Sequence, residues 1–529
     1  MGRILTARQA FLGGAALLVA AAGLLPVAVM TVRSLLAESS TGYAYYRTLF
    51  GSGRIAILAG HSIALAASTT ALALAMGVPL GILLGRTDLP LRRLLLVLFS
   101  VPLLLPPYVM AFSWFDVLGR HGAVTAWLDP QVGVATSGML FGLGGCVLVL
   151  TTAFLPIVVL LTLTYLNAVD PRLEEAGRLV SSWPGVLRCI TLPLIAPGIA
   201  LAGVLVFLLS LGEMSVPMFL RYDVFPLEVF AQFSAFYDFE AATSAALPLA
   251  LVTFLLLFAE DRLLQQRSRM LRTGSTGAAV ARIHLGRRRW SLSALVWTGA
   301  LVLVPVGCII AQSLAPGALV EAISRAGASL GRGVVFAAIG AFALMIIGFL
   351  CGYLIRTRAL ALWRWVDFMT VFLFATPSPV MAVGLIGLWN HRSTSFIYST
   401  PLIVLIGYVA QYTALTSRIT AVALDHIPSS MEEAARIAGA RWTTRMIRIV
   451  MPMSKKGLLA AWLVAYIFCL RDTGLTMLLY PSGQDTLPVR TMTLMANGLP
   501  SVTAALCVLM IGVTLVPAGL LAVLMRRAA

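Results

Sequence analysis

Charge is scarce in this chain. Only 11% of its 529 residues are Asp, Glu, Lys or Arg, against about a quarter in a soluble domain. A water-soluble globule is therefore excluded for most of its length. Lysine is almost missing, with Lys455 and Lys456 the only two. Neither follows a glycine, so the phosphate-cradling G-x-x-x-x-G-K-[ST] loop is absent. The six cysteines, Cys146, Cys189, Cys308, Cys351, Cys469 and Cys507, form no C-x-x-C pair, and they indicate neither a zinc site nor a disulfide framework. H-E-x-x-H and G-x-S-x-G are missing as well. The five histidines, His61, His121, His284, His391 and His426, lie in separate segments and make no ligand set. No enzyme constellation remains, so neither catalysis nor a cofactor is expected of the chain itself.

What is there is apolar. Hydrophobic residues make up 60% of the sequence, gathered in runs near or above the ~20 residues that cross a bilayer as a helix. Six runs fall in the first half: Phe11–Val32, Ile55–Leu84, Leu94–Val117, Gly138–Leu166, Leu194–Leu211 and Ala241–Phe258. Six more fall at Ser291–Leu314, Val334–Ile355, Val366–Trp389, Thr400–Val422, Leu458–Leu479 and Val502–Leu524. The first run is long for a signal peptide and lacks a clear small-residue cleavage site, which favours an uncleaved span. Pro102, Pro106 and Pro107 interrupt the third run beside Tyr108. Proline frees backbone groups that protein or water must satisfy, so a kink is expected there, either structural or beside a cavity.

The net charge of +17 comes almost wholly from arginine, and the arginines sit in particular connections. Arg86, Arg92 and Arg93 form one such group, and Arg356, Arg358 and Arg364 another. Arg3 and Arg8 precede the first run, and Arg526 and Arg527 follow the last. The positive-inside rule accounts for this pattern without nucleic acid and places both termini in the cytoplasm. The arginine-rich stretch 266–290 reads as a cytoplasmic linker between a first repeat, 1–265, and a second, 291–529. Attraction of this linker to anionic membrane lipid is expected. With six spans per half the two repeats share one orientation. Gly77 and Gly81 echo Gly348 and Gly352, at a spacing that lets helices pack closely. The fold class is thus an all-α polytopic membrane protein of about twelve transmembrane helices, arranged as two parallel six-helix repeats.

Two polar islands interrupt the apolar pattern at matching places. Residues 171–198 read PRLEEAGRLVSSWPGVLRCITLPLIAPG, and residues 428–457 read PSSMEEAARIAGARWTTRMIRIVMPMSKKG. Glu174, Glu175 and Ala176 match Glu432, Glu433 and Ala434, and Trp183 and Pro193 match Trp442 and Pro452. One residue is missing before Trp183. The second island resembles the E-A-A-x-x-x-G loop of ABC importer permeases, carried by Glu433, Ala434, Ala435 and Gly439. The first departs from it, with Gly177 at the third motif position and Ser181 where glycine is expected.

LPLRRLLLVLFSVPLLLPPYVMAFSW and GEMSVPMFLRYDVFPLEVFAQF further resemble the ferric-iron permease group, to which thiamine and phosphonate or sugar-phosphate permeases are related. The resemblance implies a fused two-domain permease of the type I ABC importer fold, moving substrate by alternating access. It implies coupling loops that dock on two copies of a separate ATPase subunit carrying ATP and Mg. It also implies a periplasmic or lipid-anchored substrate-binding protein and a bacterial inner-membrane location. An ion-coupled secondary transporter would also use parallel six-span halves.

Glu213 and Asp472 align between the repeats, each twenty residues past its loop proline. At 1.5 Å per residue that is about 30 Å, close to the far side of a bilayer. One reading is a mirrored acidic element of the substrate path, with Tyr108, Met218 and Met477 as further candidates. The other is a pair of helix-end or hydrogen-bonding residues, with Arg471 as a possible partner of Asp472.

Overall fold

The computed structural model describes residues 2–36, 53–89, 91–119, 122, 124–125, 140–236, 239–268, 296, 299–497 and 499–527. The described residues form helices and no strand. Eight helices are long and apolar enough to cross a membrane, three further pairs qualify but are sharply bent, and one shorter apolar helix spans Ala300–Ser313. Together these answer one to one to the twelve apolar runs. Tyr43, Tyr45 and Tyr46, whose clustering after the first apolar run suits an interfacial aromatic belt or an external segment, lie outside the described residues, as do His121, His284 and nearly all of the basic linker.

Two runs expected as single spans are broken. Arg92–Leu104 meets Pro107–Leu118 at 106°, and Trp363–Ala375 meets Ser378–Trp389 at 106°. The cause is local. A residue before proline is driven from the helical to the extended region, and Leu105 (ψ 149°) and Thr376 (ψ 128°) both obey, ahead of Pro106 and Pro377. Each pair is two half-helices, where the sequence suggests a kinked span for the first and an unbroken span for the second. The run Leu458–Leu479 also ends early. Its helix, Lys455–Arg471, is followed by a break and the short helix Thr476–Leu479.

The described chain divides into two compact units that do not follow chain order. One comprises Ser52–Leu227 and Leu251–Leu314; the other comprises Met1–Gly51, Glu228–Ala250 and Ala315–Ala529. In the first unit the long helix Gly53–Arg86 packs on Leu143–Ala168 and Leu192–Leu211, and Val304–Ser313 lies on Pro107–Leu118. In the second unit the long helix Ala318–Thr357 packs on Leu402–Asp425 and Lys455–Arg471, and Leu25–Leu36 lies on Ser378–Trp389. The first apolar helix of each repeat is thus a member of the unit built mainly from the other repeat.

The glycine pairs do what their spacing suggests. A Cβ on Gly77 would stand 2.7 Å from Val158 Cβ, and one on Gly81 would stand 2.8 Å from Thr162 Cβ. A Cβ on Gly348 would overlap Thr416, and one on Gly352 would stand 2.6 Å from the Ser417 carbonyl oxygen. Bare backbone at these four positions lets each long helix approach its neighbour.

Candidate functional site

Each polar island folds as a short helix, a turn and a re-entry into an apolar helix. The first loop helix is Pro171–Arg178. Asp170 starts it by accepting a hydrogen bond from the Arg172 amide at 3.0 Å, with Pro171 in the first turn, where its missing N–H costs nothing. The second loop helix is Ser429–Ile437, again entered from a proline, Pro428.

The two helices end differently. Gly439 is left-handed at φ 82°. Its amide donates to the Arg436 carbonyl at 3.0 Å, and the Ala440 amide donates to Ala435 at 3.0 Å. That is a glycine-dependent helix stop. After the first loop helix the Val180 and Ser181 amides both donate to the Gly177 carbonyl, at 3.2 and 2.9 Å, and no residue of that turn has positive φ. The first turn is one residue shorter, so Ser181 does not stand in for Gly439. Gly177 has its own reason: a Cβ there would lie 2.5 Å from Ile190 Cδ1.

Beyond both turns a π-helical turn precedes the loop proline, Leu187–Thr191 before Pro193 and Met446–Val450 before Pro452. A proline ring clashes with the carbonyl four residues back, and the wider winding makes room for it.

In each island the first glutamate turns inward. Glu174 is buried against Arg86, the last residue of its long helix, with Nε 3.0 Å from Glu174 Oε2. Thr191 Oγ1 donates to Glu174 Oε1 at 2.8 Å, and Arg86 Nη2 donates to the Leu166 carbonyl at 2.8 Å. This ties together the loop helix, the π turn and the ends of two apolar helices. Glu432 is held more loosely. It accepts from the Tyr353 hydroxyl at 2.7 Å and lies 3.6 Å from Arg445 Nε. Arg445 Nη1 donates to the Ala440 carbonyl at 3.1 Å and braces the turn. Arg356 Nη2 donates to Ile427 at 2.9 Å, closing the adjoining helix end as Arg86 does in the first repeat.

The second glutamate of each pair turns outward. Glu175 and Ala176 are exposed, as are Glu433 and Ala434, while Gly177 and Ala435 are half-buried. Beside them stand large apolar side chains in the open: Leu179 at 88% exposure, Val180 at 90% and Ile437 at 84%. Of the ten candidate loop residues, Glu174 and Glu432 are therefore internal anchors. The outward set is Glu175, Ala176, Ser181, Glu433, Ala434 and Gly439.

The substrate-path candidates divide between the two units, Tyr108, Glu213 and Met218 in the first described above and Asp472 and Met477 in the second. Asp472 is buried and accepts from Tyr412 Oη at 2.6 Å, from the Thr476 amide at 2.8 Å and from Thr476 Oγ1 at 2.6 Å. It starts the short helix Thr476–Leu479. Glu213 does the same for Ser215–Phe219, accepting from the Ser215 amide at 2.8 Å and from the Ser215 hydroxyl. Both are mirrored helix-starting carboxylates. The Arg471 guanidinium lies 4.4 Å over the Phe468 ring. Met218 is exposed, Met477 half-buried and Tyr108 fully buried. Among the described residues no group of three or more His, Cys, Asp or Glu could hold a metal ion.

Residues 77–270 and 345–529 each match the family described as binding-protein-dependent transport system inner membrane component, and each stretch contains one loop helix. The chain belongs to that family. It is 24% identical over 400 residues to a putative ferric transport system permease protein of Haemophilus influenzae, covering 70% of this chain and 62% of that protein. A ferric transport system permease protein of Actinobacillus pleuropneumoniae is 23% identical over 399 residues, 57% of its length. The chain thus spans about three fifths of these two relatives. The molybdenum transport system permease protein of Escherichia coli K12 is 33% identical over 159 residues, 29% of this chain and 68% of that protein.

In this inner membrane component the sequence marks the loop helices but not the residues that hold them. Arg86, Thr191, Tyr353 and Arg445 are the partners of the inward glutamates. One signal was available: Arg86 closes an apolar run, where a charge needs a partner. Tyr353, four residues before the end of its long helix, carried no such mark.

Proposed function

We propose that the chain is the permease subunit of an ATP-driven importer and moves its substrate inward by alternating access. The observation that carries this reading is the pair of loop helices. Each has one glutamate clamped to a long apolar helix and the next exposed beside bare Leu179 and Val180 or Ile437. Exposed apolar side chains rimmed by charge mark a protein-interaction surface, and the clamp ties that surface to the membrane helices. Two copies of an ABC ATPase subunit, bearing ATP and Mg, dock on the two loops. A periplasmic or lipid-anchored binding protein delivers substrate from the opposite face. Both termini and the basic linker 266–290 between the repeats 1–265 and 291–529 are cytoplasmic, and the linker lies on anionic lipid of a bacterial inner membrane. ATP drives the cycle only by favouring one arrangement of the permease over the other.

Ferric iron is the substrate this reading favours, since two relatives named for ferric transport align over 70% of the chain. Molybdate is the second reading, because shorter stretches align at higher identity with molybdenum permeases. The ion-coupled alternative would rest on Glu213 and Asp472, each of which accepts hydrogen bonds at the start of a short helix, and it leaves the paired loop helices without a role.

The test is purification of the protein from its native membrane beside a Glu175→Arg/Glu433→Arg double variant. Wild type should bring an ATPase that the variant loses. Uptake into vesicles loaded with ATP should then accept ferric iron supplied on the co-purified binding protein, and not molybdate. Proton- or sodium-driven uptake with no ATPase in either preparation would overturn the assignment.

A further inference from the structure

The two loops carry the same tryptophan and use it differently. Trp183 is half-buried, with the guanidinium of Arg178, from its own loop helix, 4.9 Å from the ring centroid. Trp442 is buried between Phe11, at 5.8 Å, and Tyr353, at 6.1 Å. Phe11 belongs to the N-terminal helix, which packs on Ala318–Thr357 and reaches the turn at Trp442–Arg445. One turn earlier on that helix, Arg8 lies 5.8 Å over the Tyr353 ring and donates to Thr357 Oγ1 at 3.2 Å. Tyr353 in turn donates to Glu432. Arg8 and Phe11 therefore touch the two aromatic side chains that seat the second loop helix. The first loop helix is seated by the buried Arg86–Glu174 pair instead.

We propose that Arg8 and Phe11 are positioning residues for the second loop helix. They hold Tyr353 and Trp442, and so set how Ile437 and Glu433 are presented to the ATPase; this rests on the docking role proposed above. The physical basis is the difference between the clamps. A buried, charge-assisted pair with a third hydrogen bond holds its helix without outside help. The second clamp is looser: Glu432 is partly exposed and 3.6 Å from Arg445 Nε, so its close bond is the one from the Tyr353 hydroxyl, whose direction depends on what packs on its ring. The cation over Tyr353 and the ring against Trp442 are each modest contacts, so the second loop helix is adjustable where the first is fixed. The N-terminal helix thereby becomes a handle on one coupling site and not on the other.

The test uses the full transporter complex in a Cys189→Ser background, because Cys189 is the exposed native thiol among the described residues. A single cysteine is placed at Val180 or at Ile437 and labelled with a benzophenone maleimide, and light-driven crosslinking to the ATPase subunit is scored. Arg8→Ala with Phe11→Ala should lower the yield from position 437 about fivefold, from the summed loss of one cation–π and one aromatic contact. The yield from position 180 should stay at the wild-type level. Arg8→Lys with Phe11→Tyr should restore position 437. Equal loss at both positions would reveal general damage and overturn the proposal, as would no loss at either. A complex with native Arg8 and Phe11 in which neither position crosslinks would refute the docking role itself, and the positioning role with it.

Discussion

Arg86 and Tyr353 perform one task with different chemistry. Arg86 is fully buried, and its Nη1 has no hydrogen-bond partner, so the Glu174 charge is what makes the site tolerable. Removing one member of such a pair strands the other and costs about 3–5 kcal/mol. Losing the Tyr353 hydroxyl costs about 1.5–3 kcal/mol, a single hydrogen bond to a partly solvated carboxylate. Thermal unfolding of the detergent-solubilised protein should therefore show a larger fall in melting temperature for Arg86→Met than for Tyr353→Phe. A similar fall for both would mean that the burial at Arg86 is not matched by a working ion pair. The inward and outward roles of adjacent glutamates were invisible in the E-E-A text. Adjacent helical residues point about 100° apart, and which one faces the protein depends on where the long helix ends.

At the level of elements, the helix stops, the breaks and the close packings each have a local cause. The left-handed Gly439 predicts that Gly439→Ala costs about 1–2 kcal/mol, whereas Ser181→Gly is close to neutral because its turn needs no left-handed residue. Paired melting curves on the two variants would check this, and equal effects would place the two turns in one class. Gly352→Val should be more damaging, because the new side chain meets the rigid Ser417 carbonyl rather than a flexible side-chain end. About 1–3 kcal/mol or more is expected for overpacking of this kind, read as loss of folded protein in size-exclusion profiles. The 106° break at Pro106 was legible as an irregularity but not as a reversal, and the one at Pro377 was not anticipated. Proline fixes its own φ and disfavours helix at the residue before it. The direction taken by the next half-helix is decided by packing.

On the scale of the whole molecule, the duplication is a matter of sequence and the exchange of helices is not. The two family-matching stretches, 77–270 and 345–529, both begin after the first apolar helix of their repeat. Those first helices join the unit formed mainly by the other repeat. Glu433→Arg should lower substrate moved per ATP hydrolysed by about an order of magnitude (a charge reversal at the docking surface proposed above) and leave folding intact. Transport and hydrolysis measured together in reconstituted vesicles would show it, and unchanged coupling would remove Glu433 from the docking surface.

Composition alone determined that the chain is a multi-pass helical membrane protein, because so little charge cannot solvate a globule of this size. The repeat of the two polar islands determined that it carries one device twice, and their wording pointed to the family. Tertiary structure decided that Glu174 and Glu432 face inward while Glu175 and Glu433 face outward. It also decided that Glu213 and Asp472 start short helices, and that the N-terminal helix lies against Trp442 and Tyr353. These outcomes depend on which distant residues meet, and nothing in the local periodicity of an almost uniformly apolar chain records that.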